Sequence, residues 1–199
     1  MRPARAALPL LTALSVLSLG ACAGLSNRPE PGAYAIDPTH TSVTFEVAHF
    51  GTSTHRGRFE RAQGEVQLAE PGNGGRVEIR IATASVSTGV AALDGRLRSA
   101  DFLDAEAFPA AIFIAEGLAF KGGAVSEVAG QLTLRGKTLP LTLKASHFNC
   151  YVSPLLVRQV CGGDFEATLQ LVQWGMDRDS KFGLPDSIRL LVQIEAAKL

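Results

Sequence analysis

Apolar and polar residues alternate with a period of two along most of the chain beyond residue 40, the pattern of half-buried β-strands. Val43, Phe45 and Val47 alternate with Thr44, Glu46 and Ala48, and Val77, Ile79 and Ile81 with Glu78, Arg80 and Ala82. The same step recurs at Val128, Gly130, Leu132 and Leu134, at Leu139, Leu141 and Leu143, and at Phe165, Ala167, Leu169 and Leu171. A last run carries Ile188, Leu190, Val192 and Ile194. Residues 56–69 and 110–120 read as weaker strands. The pattern therefore predicts an all-β domain of about eight strands.

Glycine-rich breaks separate the runs. Gly72-Asn73-Gly74-Gly75, Lys121-Gly122-Gly123 and Arg135-Gly136-Lys137 have hairpin-turn composition, so most neighbours pair antiparallel. One segment departs from the period. Ala91 to Asp101 is rich in Ala, Leu and Arg, with Leu93 and Leu97 four apart, and predicts one short helix crossing an end of the sheet. Periodicity alone admits two closures, a barrel or a sandwich. The positions that alternate outward include Glu78, Arg80, Glu166, Arg189 and Glu195. Lipid would demand apolar residues there, which argues against a membrane-spanning barrel.

Residues 1–22 stand apart from this pattern. Arg2 and Arg5 precede a mostly apolar run from Ala6 to Leu19, too short for a good membrane span and suited to a signal peptide. Leu19-Gly20-Ala21-Cys22 resembles a bacterial lipobox, which makes Cys22 the expected lipidation site. Cleavage within Ala21-Cys22-Ala23 is the rival reading. Multiple acyl chains would hold the protein at a membrane. Ala23, rather than an acid, follows the cysteine, and by resemblance to lipoprotein sorting this points to the outer membrane, periplasmic side. Residues 23–33 read as a flexible tether, leaving 34–199 as the folded domain.

Composition narrows the function. Lys and Arg total 19, as do Asp and Glu. Removal of residues 1–22 takes Arg2 and Arg5 and leaves 17 basic against 19 acidic side chains, a net of −2. Nucleic acid is therefore not an expected partner, since phosphate binding needs a basic excess. With Cys22 assigned to the leader, Cys150 and Cys161 remain as a pair in an exported chain, most simply a disulfide. Closing a loop of this size contributes roughly 2–3 kcal/mol. A redox-active pair is the alternative, without the Cys-x-x-Cys spacing.

Asp37, His40 and Ser42 invite a hydrolase reading, but they fall within six residues of one extended segment. No nucleophile elbow surrounds the serine, and a local turn explains the acid and hydroxyl. The four histidines, His40, His49, His55 and His147, lack zinc-site spacing, so no metal is expected. His49, at the end of the first strong strand, is the one placed to meet a quinone oxygen or a phosphate.

An ordered series of segments resembles the YceI-like, or polyisoprenoid-binding, family. It comprises residues 34–49 (Tyr34 to His49), Gly57-Arg58-Phe59 with Gly64, Ala84 to Thr88, Leu97 to Phe102 with Asp104, and Phe108-Pro109. Gly130 to Gly136, Trp174-Gly175-Met176 and Gly183-Leu184-Pro185 complete it. The sequence around Cys150 and Cys161 is similar to a subset of the family that carries this pair. Three positions depart from the family pattern. Leu171 and Gln173 stand where a basic residue and an acid are common, and Arg96 stands where a histidine often precedes the helical Leu97.

The resemblance implies an eight-stranded antiparallel lipocalin-like barrel enclosing an apolar cavity, and a carrier or binding protein rather than an enzyme. The implied ligand is an isoprenoid lipid, such as ubiquinone or a polyprenyl phosphate, with no cofactor required. A homodimer is known in the family and is one oligomeric option. The inward strand positions then become the cavity wall. They are Val43, Phe45, Val47 and Phe59 early in the chain, Val77 and Ile79, Leu132 and Leu141 in the middle, and Phe165, Leu169, Trp174, Leu190 and Val192 late. His49 stands at the mouth. A buried CH₂ contributes about 0.8 kcal/mol, so one isoprene unit offers on the order of 3–4 kcal/mol gross. An apolar cavity alone therefore suffices for binding. The rivals are a scaffold or stress protein with a filled core, and a hydrolase or isomerase using His40 or His49.

Overall fold

In a computed structural model, the structure is described for residues 28–70, 74–176 and 186–199. Residues 1–27, with the leader and Cys22, lie outside the described residues, as do 71–73 and the Gly183-Leu184-Pro185 motif. Eleven strands are present among the described residues. They are β1 (Gly32–Ile36), β2 (Ser42–His49), β3 (Ser53–Phe59), β4 (Ala62–Leu68), β5 (Gly75–Ala82) and β6 (Val86–Ser87), then β7 (Ala110–Lys121), β8 (Ala124–Leu134), β9 (Lys137–Ser153), β10 (Arg158–Gln170) and β11 (Ser187–Lys198). One helix, α1 (Ala91–Arg98), lies between β6 and β7.

Eight of the strands close an antiparallel barrel in the order β1-β4-β5-β7-β8-β9-β10-β11, and β1 returns to β11 to complete it. The barrel is therefore the closure adopted, not the sandwich. Two of the three extra strands arise by division of expected strands, and the third, β6, follows β5 after the 3-10 turn Thr83–Ser85. β11 pairs with β1 near its C-terminal end, at Tyr34↔Lys198, and with β2 nearer its start, at Phe45↔Leu190. So β1 and β2 are two parts of one wall strand, interrupted at residues 37–41. The expected single strand over 56–69 divides likewise into β3 and β4 at Glu60-Arg61. Beyond these breaks β2, β3 and β6 extend one end of the wall.

Among the described residues three register shifts interrupt the ladders, one of them between Ala119 and Phe120 of the β7–β8 pair, and the other two keep the alternation aimed inward. The β7–β8 register shifts between Ala115 and Gly117, and the β9–β10 register shifts between Asp164 and Phe165. An extra residue reverses strand parity. Ala111, Phe113 and Ala115 thus share the interior with Leu118 three residues later. Phe148 and Cys150 follow Leu143 into the same interior by the same device.

The end of β10 differs from the pattern-based expectation. Leu171–Trp174 form a 3-10 turn instead of continuing the strand, and Gly175 follows at φ 72°, in the left-handed region. The N-terminal approach also differs from a free tether. Gly32 and Ala33 belong to β1. The buried Gln159 amide donates from Nε2 to the Arg28 carbonyl at 2.9 Å, and its Oε1 accepts from the Glu30 N–H at 2.8 Å. Tyr34 Oη lies 2.6 Å from the same Oε1, and burial pushes the Tyr34 phenol up. Residues 28–33 are thus held against the barrel.

Cys150 and Cys161 are register partners on β9 and β10 and form a disulfide across a sequence separation of 11. The outer face carries charged pairs as expected. Arg189 bonds both Glu166 and Glu46, and Arg80 approaches Glu78.

Candidate functional site

The barrel interior holds two separate apolar cavities. The larger, of about 270 Å³, opens at the end covered by α1. It approaches the lower bound of small-molecule sites, about 300–1,000 Å³. Val43, Phe45 and Val47 on β2 supply one wall, and Leu132 on β8, Leu169 on β10 and Leu190 on β11 supply others. Each lies on the inward parity of its strand. Phe59 and His49 complete the sequence-predicted positions on this cavity.

The smaller cavity, of about 60 Å³, lies deeper, towards the β9–β10 hairpin end. Val77, Ile79, Phe165 and Val192 line this one. No described residue borders both. Leu141 and Trp174 border neither. The ring of Phe113 lies over Gly130, the register partner of Leu141, and fills the interior there. Trp174 is buried, but the 3-10 turn takes it off the strand path, while Leu171 and Met176 on either side of it reach the cavity instead.

The mouth has a different chemistry from the walls. His49 and His55 meet edge to face, with ring centroids 4.7 Å apart. Arg56 and Arg96 reach the same cavity. Arg56 Nε donates to Glu46 Oε1 on the outer surface at 2.8 Å, and the Arg56 guanidinium beside Glu46 holds its carboxyl below the usual range. The Arg96 guanidinium sits 5.5 Å from the Phe102 ring centroid. The opening of an almost wholly apolar chamber is therefore bordered by the His49 and His55 imidazoles and by two guanidinium groups that already meet carboxylates, Arg56 beside Glu46 and Arg96 3.7 Å from Asp101, a set of donors suited to a hydrogen-bond-accepting head.

The helix places part of this rim. Leu93 and Leu97 face the cavity, as their four-residue spacing predicts. Asp94 accepts from the Thr88 N–H at 2.7 Å and its hydroxyl at 2.6 Å, tying the helix to the segment before it. The segment after it is tied by Arg135, which donates to the Ala100 carbonyl at 2.9 Å and the Gly175 carbonyl at 2.7 Å. His55, Arg56 and Arg96 were not among the sequence-predicted positions. The signal for His55 is its register: it faces Val47 across the β2–β3 hairpin.

Asp37 and His40 do form a pair, with Nδ1 to Oδ2 at 2.7 Å. The pair lies at the exposed turn between β1 and β2. Among the described residues the His40 ring is bonded to Asp37 and Thr39 and not to Ser42. The dyad therefore belongs to a surface turn, away from the cavity. Among the described residues no group of three His, Cys, Asp or Glu is placed to hold a metal.

Comparison with known proteins places this barrel. Residues 34–196 match the YceI-like domain. The chain belongs to the YceI-like family. A UPF0312 protein of Shewanella denitrificans is 39% identical over 130 residues, spanning 64% of this chain and 68% of that protein. Among solved structures, Burkholderia cenocepacia BcnA superposes with a TM-score of 0.64 at 17% identity, covering 80% of this chain and 98% of BcnA. A Saccharophagus degradans protein described as a polyisoprenoid binding domain implicated in plant cell wall breakdown gives a TM-score of 0.60 at 14% identity, covering 83% and 98%. At these identities the two structures establish a shared YceI-like barrel fold.

Proposed function

We propose that this YceI-like barrel binds the apolar chain of an isoprenoid lipid in the 270 Å³ cavity, with the head group at the His49, His55, Arg56 and Arg96 rim. The observation that carries the reading is the pairing of an open, almost wholly apolar chamber with one polar rim. The Saccharophagus protein's description as a polyisoprenoid binding domain supports the same ligand class. A quinone or a polyprenyl phosphate meets both requirements: methylene-rich chain inside, oxygen-rich head at the rim. No catalytic group is needed, and no cofactor beyond the ligand itself.

The same reading gives the protein a place. The leader pattern and Cys22 support a lipid-anchored protein on the periplasmic side of the outer membrane, storing or transferring the lipid. A chain buried in the barrel leaves slowly into water, so exchange needs a membrane or an acceptor protein at the rim.

The test is calorimetric titration of the delipidated, exported protein with a short-chain isoprenoid ubiquinone and with geranylgeranyl phosphate. Saturation by either at one molecule per chain is the expected result. Absence of saturation by both overturns the proposal.

A further inference from the structure

The β9–β10 hairpin ends in an exposed apolar tip at the end of the barrel opposite the mouth. Leu155 is 88% and Val157 82% exposed, and Leu156, Val152 and Tyr151 are each more than two-fifths exposed. The tip is a built loop. The Val157 N–H donates to the Ser153 carbonyl at 2.8 Å, and the Leu156 N–H to Ser153 Oγ at 3.2 Å. Val157 sits at φ 52°, a left-handed conformation unusual for a β-branched residue. The Cys150–Cys161 disulfide braces the hairpin just behind it. Contiguous apolar residues on a braced loop mark a contact surface rather than scattered exposure.

The chain outside the described residues begins beside this tip. Arg28 is bonded through its carbonyl to Gln159, two residues after Val157. Cys22 lies six residues before Arg28, a reach of at most about 20 Å when extended. Arg158 stands at the base of the tip and donates to the Lys198 carbonyl at 3.1 Å. With Tyr151 it gives the aromatic and cationic flank typical of residues at the lipid–water interface.

We propose that the 153–158 tip inserts into a lipid bilayer, placing Leu155, Leu156 and Val157 in the interface of the membrane that holds the Cys22 anchor. The proposal rests on the anchored reading above for which membrane is met, and on the tip itself for insertion. It fixes an orientation. β10 runs 13 residues from the tip towards the mouth. At about 3.3 Å per residue and a barrel tilt near 40°, the mouth stands roughly 30 Å from the bilayer. The ligand rim therefore faces away from the protein's own membrane, towards an acceptor or the opposite surface.

The test uses the full exported chain with vesicles of mixed phosphatidylethanolamine and phosphatidylglycerol carrying brominated acyl chains. Leu155→Trp is compared with the unsubstituted protein, whose single tryptophan, Trp174, is buried on the mouth side. The expected result is a blue-shifted L155W emission quenched about twofold and unaffected by high salt, with Trp174 little quenched. Unquenched L155W emission overturns the proposal. Hydrogen exchange of the unsubstituted protein gives a second readout, with slowing at Leu155, Leu156 and Val157 on vesicle addition. Slowing that instead follows protein concentration without vesicles assigns the tip to a second copy and also overturns it. Intact mass reports acylation of Cys22 separately. Quenching in a protein without acyl chains keeps the tip and removes the anchor. Acylated protein with no quenching keeps the anchor and removes the tip.

Discussion

The ring of Phe45 occupies the space that a side chain at Gly57 would fill. A Cβ at position 57 would stand 2.2 Å from Phe45 Cζ. The two are register partners on β2 and β3, so the absence of a side chain on one strand lets an aromatic ring on the next lie against the wall. That ring forms part of the larger cavity's lining. Gly57→Ala pushes it into the chamber. We expect a stability loss of about 1–2 kcal/mol, in the range of overpacked cores, and roughly tenfold weaker lipid binding. Chemical denaturation and ligand titration check the two effects.

Ala111 offers the opposite manipulation. It is buried on β7 and faces the same cavity. Ala111→Phe places a ring in empty apolar space. Stability should change by less than about 1 kcal/mol, because the ring fills a void in place of displacing neighbours. Lipid binding should fall by roughly a hundredfold. A large stability loss with binding intact would show that the chamber is not the ligand site.

Much of this architecture is legible in the alternation of Val43 to Val47, Val77 to Ile81 and Ile188 to Ile194, because a period of two reports directly on a half-buried wall. Leu93 and Leu97 likewise mark the helix over the mouth. The break at residues 37–41 is marked in the sequence by the turn chemistry of Asp37, whereas the break at Glu60-Arg61 is not legible, since it interrupts a strand without a glycine turn. The bulges near Glu116 and Ser146 reverse parity, so alternation cannot be carried across them. Leu141 shares the phase of Leu143 and yet misses both cavities. His55 and Arg56 need the β2–β3 register before their faces are known. Whether the interior is empty leaves no trace in the pattern, because a filled core and a cavity wall demand the same apolar residues.

The turn between β1 and β2 carries a pH signature. The Thr39 hydroxyl, then His40, hold the Asp37 carboxyl down to about 2, from an ordinary 3.8. Asp37 in turn raises His40 above its usual 6.5. The Asp37 contribution to stability is complete above the ordinary carboxylate value and is lost as pH falls through about 2. The His40 contribution is complete below 6.5 and is lost as pH rises through the raised folded value. Thr39→Val should move the Asp37 midpoint upward, as read by carboxyl-carbon NMR, with lipid binding unchanged because the turn lies outside the cavity.

The disulfide joins residues that already face each other in the ladder, so its removal should leave the fold intact. Cys150→Ala with Cys161→Ala is expected to cost about 2–3 kcal/mol, the loop-closure contribution for so short a loop. Urea denaturation with and without reductant measures it. The unsubstituted protein should fall to a similar stability on reduction, and the double variant should not respond.

The proposed function places an isoprenoid chain in the chamber behind Phe45 and Leu190. Mass spectrometry of solvent extracts from the exported protein, purified without added lipid, tests it most directly. One dominant isoprenoid per barrel is expected, greatly reduced in extracts of the A111F variant. Extracts free of isoprenoid, from protein that also takes up neither added quinone nor added polyprenyl phosphate, would contradict it.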